Sequence, residues 1–141
     1  MKIIGNYRFI KSTDSKKAIV HSKVGDINMI IDTHNAEHYH WGDQCDGWHF
    51  VKSDRLSVIK ETMPSMTMEK RHYHEKAQQF FYILSGLATF EINGQIFTVM
   101  PGKGILIQPG AVHQILNNTG TDLEFIVVSE PKSHGDRVTV E

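Results

Sequence analysis

Downstream of position 56 the chain alternates short apolar runs with turn residues, which is the rhythm of strands rather than helices. Residues 87–92 and 95–99 flank Asn93-Gly94, a pair suited to a type I′ hairpin turn because both central residues take positive φ. Pro101-Gly102-Lys103-Gly104 closes that hairpin, 105–107 runs into Pro109-Gly110, and 112–116 and 123–129 read as further strands. Turn signals recur about every ten residues, the cadence of a β-sandwich or barrel. Upstream, 56–59 and 27–31 read as strands. Residues 1–45 are expected to be an extension that adds edge strands, and 46–141 the main domain, in a single-domain protein. One segment keeps two readings. The apolar positions 73, 77, 80, 81 and 84 fit one helical face, whereas the aromatic run 80–82 and Gly86 favour a strand. The choice matters because residues 72 and 74 share a face on a strand and point about 200° apart on a helix.

The 141 residues suffice for one core. Lys plus Arg is 15 and Asp plus Glu is 16, so the formal net charge is −1, which supplies no basic field for a nucleic acid. The longest apolar stretches, 80–84 and 125–128, are far too short for a membrane helix. Residues 1–8 turn polar too early for a secretory signal. The single cysteine, Cys45, rules out an internal disulfide and fits a reducing interior, so a cytoplasmic location is expected. Nine histidines are the unusual count, because imidazole is both a common metal ligand and a pH-sensitive group.

Two of those histidines form His72-Tyr73-His74, which on a strand places both imidazoles on one face. Gln79 follows across a short loop, and His113 lies just past Gln108-Pro109-Gly110, a turn able to bring a distant strand alongside. The wider frame has Met66, His72, His74, Gln79 and Gly86, then Gly102, Gln108, Gly110, His113 and Asn117. In residue type and spacing this frame resembles the two motifs of the cupin family, over about residues 55–130. The resemblance implies an all-β fold, a double-stranded β-helix or jelly roll of two facing antiparallel sheets. It also implies one divalent transition metal (Fe, Mn, Ni, Cu or Zn) held by His72, His74, His113 and Gln79, or by the three histidines alone with Gln79 turned away. Three positions depart from the family pattern. Met66 stands for a turn glycine, Gln108 for a proline, and Gln79 for a glutamate that ligates the metal. A glutamine carbonyl neutralises no charge, so such a site is expected to favour an anionic ligand.

Three functions fit that family. One is a metal-dependent enzyme of isomerase, epimerase or dioxygenase type acting on a small anionic or hydroxylated metabolite. The others are a non-catalytic metabolite- or metal-binding module and a metal-free cupin resembling sugar epimerases and ketoisomerases. A small-molecule ligand is the expected partner, with no nucleic acid and no membrane, and edge coverage by the extension suggests a homodimer. No general base stands out. Phe81, Asn117 and Trp48 are the expected pocket residues. The stretch 38–49, rich in His, Trp and acids, reads either as a second metal site or as a loop at the barrel mouth or a subunit contact. Ser133-His134-Gly135-Asp136-Arg137 reads as a free tail or a strap, and Glu69-Lys70-Arg71 as a solvated edge.

Overall fold

A computed structural model describes residues 29–141, and among these no segment is helical. The strands are β1 (Glu37–Trp41), β2 (Cys45–Lys52), β3 (Ser57–Met63), β4 (Thr67–Met68), β5 (His72–His74), β6 (Gln78–Ser85), β7 (Ala88–Ile92), β8 (Gln95–Val99), β9 (Gly104–Ile107), β10 (His113–Asn117), β11 (Leu123–Glu130) and β12 (Arg137–Thr139). They form two antiparallel sheets, ordered β1-β2-β3-β11-β6-β9 and β12-β5-β10-β7-β8, with β4 also pairing β10. This is the double-stranded β-helix expected from the sequence.

β6 shows why the helical reading fails. Gln79, Phe81 and Ile83 are buried while Phe80, Tyr82 and Leu84 remain about two-fifths exposed, a period of two that no helix produces. The apolar positions that mimicked one helical face divide between the two sides of a sheet. The same parity grades the interior from polar to apolar. Ser129 of β11 pairs with Ser57 and Gln79, and Val127 pairs with Ile59 and Phe81. Farther along, Phe125, Leu123, Met63, Ile83, Phe90 and Ile115 close a fully buried apolar floor. Burial of these side chains supplies the main driving force for folding, while the polar end of the same rows is left for chemistry.

Turn geometry follows the residues. Asn93 and Gly94 take φ of 48° and 81°, as the type I′ turn demands. Gly86 sits at φ +82°, where a Cβ would stand 2.5 Å from the Asp122 carbonyl oxygen. Met66, at the position where the family pattern has glycine, also takes positive φ, 61°, and is largely exposed. The glycine conformation therefore survives without the glycine.

β1, from the end of the expected extension, lies at the edge of the first sheet against β2. Residues 29–31 of the strand expected at 27–31 are irregular and exposed, and the Ile30 carbonyl accepts from the Asn35 side-chain amide at 2.9 Å. Residues 27 and 28, and the rest of the extension upstream, lie outside the described residues. Because a left-handed backbone strains any side chain bearing a Cβ, Met66→Gly is expected to stabilise the fold by about 1 kcal/mol, read as a raised midpoint in denaturant.

Candidate metal centre

β5 is three residues long, and neighbours hold it on both sides. His72 is in register with His113 of β10 and with Thr139 of β12, and His74 is in register with Arg137. Strand parity turns His72 and His74 inward, where both are buried, as is His113. The rings lie with centroids 5.0 Å (His72–His74), 4.4 Å (His72–His113) and 5.9 Å (His74–His113) apart. One ring nitrogen from each falls within 4.8 Å of the other two.

Backbone carbonyls set the tautomers. His72 Nδ1 donates to the Lys70 carbonyl at 2.9 Å, and His113 Nδ1 donates to that of Ala111 at 2.8 Å. Each Nε2 is thereby left with a lone pair facing inward. His113 Nε2 is buried without a partner, as are His74 Nδ1 and Gln79 Oε1. Gln79 Nε2 donates to Ser129 Oγ at 3.1 Å, which orients the amide and keeps its carbonyl oxygen free. Unpartnered buried acceptors are costly, and a bound cation would satisfy them together. Burial pushes the His72 imidazole down to about 3 and His113 down to about 4, and it also lowers His74. All three are neutral near pH 7, the form that binds metal. The donor set fits a divalent transition ion.

His72, His74 and Gln79 border a cavity of about 200 Å³, walled by Ile59, Phe81 and Val127 and by the polar side chains of Tyr39, Glu61 and Arg137. Glu69 also faces it, with Oε1 3.0 Å from Arg137 Nη1 and 3.7 Å from His72 Nε2. Of the segment expected to be a solvated edge, only Lys70 and Arg71 stay outside, Arg71 pairing with Glu91 at 2.7 Å. Glu69 turns inward because Arg137 offers it a charge partner there. Tyr39 Oη donates to Glu61 Oε1 at 2.6 Å. Burial raises Glu61 to about 8 and Glu69 to about 7, and it keeps the Tyr39 phenol protonated. The cavity thus holds two carboxyl groups poised near neutrality, a source of proton transfer that the sequence reading did not find. A signal was present for Glu61, which shares inward parity with Ile59 and Met63.

The strap reading of residues 133–137 describes what the chain does. The Asp136 carboxylate accepts the backbone N–H groups of Glu75, Lys76 and Ala77 at 3.2, 2.9 and 2.8 Å. This pins the loop between His74 and Gln79, while His134 closes the cavity beside Tyr39.

Of the three expected pocket residues, only Phe81 lines the cavity. Asn117 is buried elsewhere, because its amide donates to the carbonyls of Met63, Pro64 and Thr121 at 2.9, 3.1 and 2.8 Å and braces two loops. Trp48 alternates against Gly47 and His49 and so faces outward, packed on His38 with Lys60 Nζ 5.6 Å from its ring.

Comparison with known proteins agrees with this architecture. Residues 59–129, half of the chain, match the family described as "Cupin domain". The chain is a cupin. An oxalate-binding protein of Thermotoga maritima is 37% identical over 57 residues, 40% of this chain and 47% of that protein. An HTH-type transcriptional regulator of Bacillus subtilis, YdeC, is 34% identical over 58 residues, 41% of this chain. The cupin thus spans about half the length of the first relative and 20% of the second. Among solved structures, the polyketide cyclase RemF of Streptomyces resistomycificus superposes with a TM-score of 0.70 at 17% identity, covering 79% of this chain and 84% of its own. That likeness concerns the fold.

Two outcomes follow from the geometry. In metal-free protein, NMR titration should find His72 and His113 still neutral at about pH 5, where an exposed imidazole has already taken its proton, because burial disfavours the cation. Asp136→Ala removes three bonds to one loop and should destabilise the protein by about 2 kcal/mol in denaturant melts, with faster amide exchange at residues 75–77.

Proposed function

We propose that this cupin is a metal-dependent enzyme that moves a proton on a small anionic or hydroxylated metabolite, in the manner of an isomerase or epimerase. The observation that carries the proposal is a cluster of three neutral imidazoles with convergent lone pairs, two of them lining a small cavity that also holds a carboxyl tuned near neutral pH. A divalent ion held by His72, His74, His113 and the Gln79 carbonyl supplies a Lewis acid for a substrate carbonyl or carboxylate oxygen.

The chain's own groups divide the remaining work. Glu61 takes a proton from carbon and returns it, and a carboxyl held near 8 is matched to that exchange at working pH. Tyr39 holds the Glu61 side chain by its 2.6 Å bond and so fixes the direction in which the proton is delivered. Arg137, opposite Glu69, provides a cationic edge for a substrate anion. Phe81, Ile59 and Val127 exclude water and limit the substrate to a few heavy atoms. With Gln79 in place of a carboxylate, Glu69, on the segment between β4 and β5 and 3.7 Å from His72 Nε2, brings charge compensation from elsewhere in the chain.

A second reading, a metabolite-binding cupin without turnover, is favoured by the likeness to an oxalate-binding protein. Deuterium exchange separates the two. Metal-loaded protein would be incubated in D2O with a panel of small 2-keto and 2-hydroxy acids, and NMR would follow loss of the C–H adjacent to the carbonyl or carbinol. The enzyme reading predicts catalysed exchange on at least one member. It also predicts that Glu61→Gln slows this exchange by about a hundredfold or more while ligand binding persists. Binding with no exchange in either protein supports the second reading.

A further inference from the structure

Outside the cavity, the β1–β2 hairpin brings a second set of donor atoms together. His38 and His40 alternate onto one face of β1, and Asp46 of β2 stands directly across from His40 in the ladder. His38 Nε2 lies 2.7 Å, and His40 Nδ1 2.9 Å, from the same oxygen, Asp46 Oδ1. The three donor atoms all lie within 4.8 Å of one another. An ordinary surface pair joins one cation to one carboxylate, whereas here two imidazoles converge on a single oxygen. The His38 ring is also positioned from behind, 5.1 Å from Trp48 and edge-on to His40 at 4.7 Å.

We propose that His38, His40 and Asp46 form a second divalent transition-metal site, on the outer face of this hairpin and separate from the cavity. Two imidazole nitrogens with one carboxylate oxygen suit a borderline ion such as Zn(II) better than calcium or magnesium, which take oxygen ligands. Tetrahedral zinc with ordinary bond lengths sets neighbouring donors about 3.3 Å apart. Shifts of about an ångström in these side chains reach that spacing, and His40 is free to make them because its side chain is 77% exposed. The remaining position opens to solvent beside Trp41 and Gln44. A bound ion would cross-link the edge strand β1 to β2. Tyr39, between the two histidines on the opposite face of β1, reaches Glu61 in the cavity, so the exterior ion steadies the strand that carries Tyr39.

The test uses untagged full-length protein, dialysed and then titrated with Zn(II) against a chromophoric chelator. Wild type should take up about one further equivalent beyond the metal that survives dialysis. His40→Ala, at a largely exposed side chain, should lose that equivalent, and His34→Ala, an exposed histidine outside the cluster, should keep it. Zinc should slow amide exchange in 37–41 by about tenfold in wild type and leave His40→Ala unchanged. Equal uptake by wild type and His40→Ala, or no further uptake by wild type, overturns the proposal. His113→Ala should lose the dialysis-resistant metal and retain this second equivalent, so failure of the cavity site and failure of the exterior site give different results.

Discussion

A strand of three residues carries two of the three imidazoles, and the site depends on its being held. β5 has too few ladder bonds to keep a direction by itself. It is fixed between β10, which brings His113 into register with His72, and β12, which returns from the end of the chain to pair with all three residues. Carbonyls of Lys70 and Ala111 then fix two ring tautomers, and Ser129 fixes the Gln79 amide. Convergent lone pairs are thus a product of backbone pairing, with His72, His113 and Gln79 each oriented by a hydrogen-bonded neighbour.

The interior is one surface with two chemistries. Along β6 the inward residues run Gln79, Phe81, Ile83, and along β11 they run Ser129, Val127, Phe125, Leu123. The apolar end supplies burial free energy, and the polar end is tolerated because its groups are bonded to backbone or to one another. Among the described residues the exceptions are the unpartnered nitrogens of His49, His74 and His113, the Gln79 carbonyl oxygen and the Ser57 hydroxyl. Three of these atoms, on His74, His113 and Gln79, belong to the side chains that a bound cation would satisfy together.

How much of this was legible in the sequence depended on the range over which each feature is set. His72 and His74 could be placed together because strand parity is local, and His113 joined them through the motif frame that Gly102, Gly110 and Asn117 complete. The Asn93-Gly94 turn was legible for the same local reason. Glu61 lay two positions beyond the end of a strand that the apolar pattern stopped at Ile59, and continuing the alternation would have turned it inward. Glu69 was not readable, since its inward turn depends on Arg137, 68 residues away in the chain. Trp48 and Asn117 were misplaced because aromatic character and a motif position say nothing about which face a strand presents, or about which carbonyls an amide finds.

Everything proposed for the cavity requires that His72, His74 and His113 together hold a metal ion. Elemental mass spectrometry on untagged wild type and His113→Ala after exhaustive dialysis tests it most directly. Wild type should retain about one equivalent of a transition metal and the variant should lose it severely, with Gln79→Ala losing less. Equal retention in wild type and His113→Ala, with both proteins folded, would contradict it.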